Sequence, residues 1–443
     1  MRDHFFALVD RACGELRDGE VLLANFSGEV SDFVRFNRGR VRQPMTVRQA
    51  EIELSLVVGS RRDNRTLALT GLWDDDLAQV QRALVAMRAD LPSLPADPYL
   101  LFARDAAQSN RDTRGRLPSA DEAIAAVVDA ATNAGGLDVV GILASGPVMR
   151  GFASSFGARH WHAVDSFQFD WSIYHSTDKA VKSSWAGTSF DAAELTRRIH
   201  RATAQLELLA RPPRTVSPGE YRAYLAPAAF DELLWMLNWD GMSAKAQRTR
   251  NSALQRLVDG ESTFAPMINL VEDTAAGLAP GFDNAGFARP PRVALITQGR
   301  HVGSMVSART AQEYGIEANG AGDDEGMESM ALAGGTLDAA DALAALDTGI
   351  AIGNLNYLNY SDRANGRITG LTRFATFWVE GGKVQAPVNV MRWDDTLYRM
   401  LGTQLEALTR EPEWILNNGT YGGRSVQTSR VPGAVLSGMT FTL

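Results

Sequence analysis

Two proline clusters set the plan of this 443-residue chain. Pro92, Pro95 and Pro98 follow a helical pattern, and Pro212-Pro213 sit between Arg211 and Arg214. Proline locks φ and lacks an N–H, so neither a helix interior nor a central strand runs through such clusters. Three stretches result, 1–95, 110–210 and 216–443, the last the largest and rich in glycine. With 45% hydrophobic and 22% charged residues, they carry enough apolar side chains for folded cores. The 44 basic residues against 52 acidic ones leave a net charge of −8, which argues against a nucleic-acid binder working through bulk positive charge. Cys13 is the one cysteine, which excludes an internal disulfide and a cysteine-cluster metal site. Phe5 to Val9 is shorter than the ~7–15 apolar residues of a secretory signal, and no stretch approaches the ~18 of a membrane helix. A cytoplasmic protein with no membrane contact is expected.

Periodicity fills in the plan. Phe5, Phe6, Val9, Cys13 and Leu16 fall at helical spacing, and Asp74 to Met87 returns to it. Between them, Glu29 to Arg42 and the alternation of Ile52, Leu54 and Leu56 with Glu51, Glu53 and Ser55 read as strands. Ser119, followed by Asp121 and Glu122, opens a helix ending at Gly135-Gly136. Asp138 to Ser145 then reads as a buried strand with a turn at Gly146-Pro147, Arg150 to Trp185 as antiparallel sheet, and Phe190 to Leu209 as an amphipathic helix. In the third stretch a helix starts at Pro227 with Asp231 and Glu232 in its first turn, and Gly241 ends it. Further helix is expected near 305–314, 337–346 and 395–409. The class is α+β: mostly antiparallel sheets with segregated helices, a two-part N-terminal unit and a larger Gly-rich, β-rich C-terminal domain.

Few residues carry obvious chemistry. His160 and His162 share a face if on a strand and so present two imidazoles to one metal, with Asp165, Asp170 or His175 as a third ligand. Among Trp161, Phe167, Phe169 and Trp171 they equally fit ordinary sheet packing. Asp323, Asp324 and Glu325 form an acidic Gly-rich loop without EF-hand spacing, better read as solvated than as a cation site. Arg38, Arg40 and Arg42 alternate on one strand face, either an anion site or an exposed polar face. Asn354, Asn356, Asn359 and Tyr360 lie in a polar, turn-prone segment that is either a decorated loop or a surface for an extended peptide joining by strand addition. Trp235, Trp239 and Asp240 end the helix after Pro227.

The order of several longer segments resembles the TldD/PmbA family, bacterial and archaeal proteins associated with zinc-dependent proteolysis. Phe33 to Gln43 with the strands around Glu51–Gly59 resembles its N-terminal unit, and Val139–Phe156 its middle unit. Three segments resemble its C-terminal unit: 271–286 (VEDTAAGLAPGFDNAG), 293–299 (VALITQG) and Phe374 to Val388. The proteolytic TldD branch carries H-E-x-x-x-H on the helix after a proline and a cysteine near the C-terminus. At the corresponding positions this chain has Trp235, Met236 and Asp240, and Tyr421 stands near the expected cysteine.

The resemblance therefore implies the PmbA branch, also called TldE. This would be a non-catalytic subunit with a degenerate metalloprotease domain, no metal or cofactor of its own, and zinc in a TldD-like partner. The pair would act on small unfolded or precursor peptides. Two alternatives stay open: a homodimeric peptide-binding or regulatory pseudo-protease with no catalytic partner, and an enzyme with a relocated metal site at His160 and His162.

Overall fold

The computed structural model describes residues 1–135, 137–176 and 179–442. Helix α1 (Arg2–Cys13) buries Phe5, Leu8, Val9 and Ala12, one stripe at helical spacing. Cys13 closes it, and burial pushes its thiol up to about 11, so it stays protonated. Strands β1 (Glu20–Asn37), β2 (Arg40–Val58) and β3 (Arg61–Ala68) form a meander, followed by α2 (Trp73–Asp90). After the first proline cluster come β4 (Gln108–Thr113), α3 (Ala120–Asn133), β5 (Asp138–Ser154), β6 (Arg159–Ser176), β7 (Lys179–Gly187) and α4 (Ala192–Leu209). Ser119 caps α3, as the sequence pattern predicts, and the structure adds the reciprocal bond from Glu122 that makes it a capping box.

These strands form one seven-stranded sheet in the order β3-β2-β1-β5-β6-β4, with β7 also on β6. The first two stretches meet at the β1–β5 ladder. No turn forms at Gly146-Pro147, contrary to the sequence expectation; β5 runs straight through. Only its pairing to β1 is interrupted, between Glu29↔Val148 and Asp32↔Ser145. Gly146 has φ +138, and a Cβ there would lie 2.1 Å from the Val30 carbonyl oxygen, so glycine serves a close strand approach rather than a reversal. Arg38 sits with positive φ in the β1–β2 turn, off the strand face that Arg40 and Arg42 were expected to share with it.

The helices cover one face of this sheet. α1 and α2 pack on Leu22, Ala24, Ile52, Leu54 and Trp161, whereas α3 and α4 pack on Phe36, Val139, Phe167 and Phe169.

The rest begins with β8 (Gly219–Leu225), α5 (Pro227–Trp235), α6 (Ala244–Arg248), α7 (Gln255–Val258), β9 (Leu270–Glu272), β10 (Val293–Thr297), β11 (Arg300–His301), α8 (Ala308–Tyr314), β12 (Ser329–Leu332) and α9 (Ala342–Leu346). It ends with β13 (Gly349–Asp362), β14 (Arg367–Glu380), β15 (Lys383–Pro387), β16 (Arg392–Thr396), β17 (Leu405–Leu408), β18 (Glu413–Leu416), β19 (Thr428–Val431) and β20 (Ala434–Phe441). The helix expected over 395–409 is only a π-type turn, Arg399–Thr403, because residues 405–408 pair with β20 instead.

A second sheet has the order β11-β10-β9-β12-β19-β18. In the third, the pairings β13–β8, β8–β20, β20–β16, β16–β14 and β14–β13 close a ring, with β15 added on β14 and β17 on β20. Most pairings in the three sheets are antiparallel, the class the alternation predicts. The C-terminal core joins α5 to this ring and to the second sheet through Phe230, Leu233, Leu234, Trp393 and Phe441.

Candidate functional site

Helix α5 occupies the place of interest. Pro227 is its first residue, with φ already helical and no N–H to leave unpaired. No side chain caps it, and the N–H groups of Ala228 and Ala229 have no acceptor among the described residues. Asp231 and Glu232 lie in the second turn, not the first, and face inward. The Ser429 hydroxyl donates to Asp231, and the Leu355 N–H donates to Glu232. Burial pushes Asp231 up to about 7 and Glu232 up to about 8.

The α-helix stops at Trp235, and a 3-10 turn carries Met236 to Asn238. Asp240 therefore lies beyond the helix, with φ +66, half exposed and bound to Arg363 at 2.7 Å. Met236 is buried in the core, with Trp235 packed against it. The Tyr360 hydroxyl donates to the Met236 carbonyl at 2.7 Å, closing the turn, and burial raises its pKa. Tyr421 is fully exposed, on the loop whose Gly422 carbonyl accepts from Gln49 of β2. Zinc needs convergent nitrogen, sulfur or carboxylate ligands. A thioether, an indole, an ion-paired surface carboxylate and a solvent-facing phenol do not supply them, so no step through zinc is derived for this chain.

At the start of α5 the three sheets converge on a cleft of about 610 Å³. Its walls include Lys182 and Ser184 of β7, Arg201 and Gln205 of α4, Asn354 of β13 and Trp414 of β18. On α4, Arg198, Arg201, Gln205 and Leu208 recur at helical spacing and so share one face. Among the described residues β7 pairs only with β6, and β18 only with β19, so each brings an open strand edge to the cleft. Arg198 is held by Glu194 at 2.7 Å, and Lys182 faces Asp170 at 3.8 Å. Arg201 has no ion pair or hydrogen bond among the described residues.

The segment 354–360 is strand, not loop, because β14 pairs along it. A register shift between Asn356 and Asn359 breaks its alternation and scatters the residues expected to bind peptide together. Asn354 is 7% exposed and lines the cleft, and its amide has no partner among the described residues. Asn356 is partly buried, Asn359 is exposed, and Tyr360 serves the end of α5.

His160 and His162 do share a face of β6, but that face receives the C-terminal domain. The His160 ring stacks on Phe282 at 5.2 Å, with Nδ1 2.8 Å from the Ser109 hydroxyl. His162 Nε2 donates to the Leu278 carbonyl at 2.9 Å. Burial, with Arg111 nearby, pushes His162 down to about 4, so it is neutral at ordinary pH. Four residues farther along the same face, Ser166 receives Arg424. Among the described residues no group of three or more His, Cys, Asp or Glu is arranged to hold a metal.

The acidic loop also departs from expectation. Asp323 and Asp324 are exposed, but Glu325 is buried and accepts from the Ser243 hydroxyl, Lys245 N–H and Ser307 N–H. It ties together the N-terminal ends of α6 and α8.

Cleft residues such as Lys182, Arg201, Gln205 and Trp414 come from three separate elements and form no short motif, so only the three-dimensional arrangement finds them. No helix among the described residues is long and apolar enough to cross a membrane.

Comparison with known proteins fits this architecture. The chain matches a candidate modulator of a DNA gyrase from Thermotoga maritima with TM-score 0.80 at 14% identity, covering 99% of this chain and 100% of that one. TldE from Thermococcus kodakarensis matches with TM-score 0.77 at 15% identity, covering 99% and 100%. A second candidate modulator of DNA gyrase, from Bacteroides thetaiotaomicron, matches with TM-score 0.76 at 17% identity, covering 99% and 98%. At these identities the likeness is one of fold. No curated protein matches the sequence. The family model described as the PmbA/TldA metallopeptidase C-terminal domain matches residues 218–443, just over half of the chain. The chain belongs to the PmbA/TldD family.

Proposed function

We propose that this chain is a non-catalytic, TldE/PmbA-like subunit that pairs with a zinc-bearing TldD-like chain to cleave small unfolded or precursor peptides. The observation that carries this reading is the end of α5. Where the proteolytic branch has its ligands and base, Met236 is buried in the core, Trp235 packs against it and Asp240 points outward to Arg363. A buried thioether cannot take a proton from water, and an ion-paired surface carboxylate is not a three-ligand site. The open edges of β7 and β18 beside the cleft support a peptide-handling role, since an extended chain satisfies its backbone by joining such edges.

The test is to express the chain alone and with a family member carrying H-E-x-x-x-H. Stable co-purification is expected, with zinc and peptidase activity in the pair only. Stoichiometric zinc with peptidase activity in the lone chain overturns the proposal, as does a homodimer that excludes the zinc-bearing chain.

A further inference from the structure

Resting on the peptide-handling reading above, we propose that the three-sheet cleft receives the free C-terminal carboxylate of an extended peptide. The first observation is the start of α5, which lines the cleft with Ala226, Pro227 and Ala228. That nine-residue helix has no side-chain cap, and its Ala228 and Ala229 N–H groups lack acceptors among the described residues. An uncapped helix start carries partial positive charge and free donors, which suit an anion.

The second, independent observation is Asn354. Its side chain is almost wholly buried, lines the same cleft and has no hydrogen-bond partner among the described residues. An amide that opens into a cleft and makes no bond to the chain keeps its donors and its acceptor for what enters. Asn354 offers a donor to a carboxylate oxygen and an acceptor to the last peptide N–H. Lys182, which faces Asp170, and Arg201 bring positive charge from two different walls, β7 and α4, and among the described residues Arg201 has no ion pair. A compact metal ion is disfavoured by this donor set. A long polyanion is disfavoured by Glu411 and Glu413 along the same wall.

The remaining surface suits the residues preceding that carboxylate. Phe377, Val384, Trp414, Ile415 and Leu343 give apolar contact, and the open edge of β18 gives backbone donors and acceptors in register with a strand. The carboxylate then ends the added strand at the helix, so the cleft measures where a peptide stops rather than which side chains it carries.

Fluorescence anisotropy on the full-length chain tests this with a panel of short, N-terminally labelled apolar peptides, each as free acid and as C-terminal amide. Free acids are expected to bind about tenfold or more tightly than amides, the size of a lost charge-assisted contact. Asn354→Ala is expected to remove most of that preference, and Arg201→Ala, an exposed position, to weaken the acids about threefold to tenfold while leaving the amides unchanged. Equal binding of acids and amides overturns the inference, as does an undiminished preference in both variants or no binding by any member of the panel. An amidated peptide ending in Glu that binds as well as the free acid reassigns the site to side-chain carboxylates and also overturns it. Each of these results leaves co-purification with a zinc-bearing chain as a separate outcome, so the two proposals fail independently.

Discussion

Arg424 Nη2 donates to both the carbonyl and the hydroxyl oxygen of Ser166 at 2.7 Å, across a separation of 258 residues. The same guanidinium reaches the Gly146 carbonyl at 2.8 Å through Nη1. Burial pulls its pKa down to about 10, so it stays charged at neutral pH. Arg424→Met keeps much of the volume and strands these acceptors inside the contact between the C-terminal domain and the N-terminal sheet. The expected loss is about 2–4 kcal/mol of stability, read by urea denaturation.

Gly286 lies in the segment that docks beside His160. Its φ is +88, and a Cβ would stand 2.4 Å from the Phe152 ring. Gly286→Ala must pay for both the backbone region and the ring's displacement, about 2–4 kcal/mol together. A melting curve of the variant within a degree of the parent contradicts this geometry.

Glu325→Gln replaces one acceptor oxygen by a donor among three donors, the Ser243 hydroxyl and the Lys245 and Ser307 N–H groups. At least one pair then repels, at about 2–3 kcal/mol. The glutamine oxygen satisfies more donors if it keeps the two at α6, which turns its NH2 group toward the Ser307 N–H, so amide hydrogen exchange is expected to quicken at the first turn of α8. Unchanged exchange at both helices contradicts the shared anchor.

Asp231 gives the chain a pH dependence. Its pKa rises on folding from 3.8 to about 7, so the folded state holds the proton more tightly than the unfolded chain does. That contribution is complete below the unfolded value and is lost as pH climbs through the folded one. Asp231→Asn keeps an oxygen for the Ser429 hydroxyl and never ionises. Its melting temperature relative to the parent is therefore expected to improve between about pH 5 and about pH 8, and a constant difference over that window contradicts the assignment.

Local signals reached the sequence surface well. The Ser119–Glu122 box, the stripe Leu195, Ile199, Ala202, Leu206 and Leu209 on α4, and the proline at the start of α5 depend on neighbours within a few positions. Features set by distant partners did not. Asparagine disfavours strands, so 354–360 read as loop until β14 paired with it. Gly146-Pro147 looks like a turn unless β6 holds that stretch straight. Apolar Met236 and Leu237 extend the helical pattern past Trp235, yet the core takes them in a tighter turn. The H-x-H pair shows alternation plainly, and only Phe282 and Leu278, more than a hundred residues away, explain what that face is for.

The β1–β5 ladder also bears on how the chain is made. β1 ends at Asn37, and the partner for its other edge is complete only at Ser154. Translation at ~5–20 residues per second leaves that edge open for on the order of ten seconds. During that interval the nascent N-terminal stretch presents Phe33, Val34 and Phe36 along a strand paired on one edge only, a template for wrong pairing on the other. Slowing synthesis between the first proline cluster and β5 lengthens that exposure and is expected to lower the soluble yield.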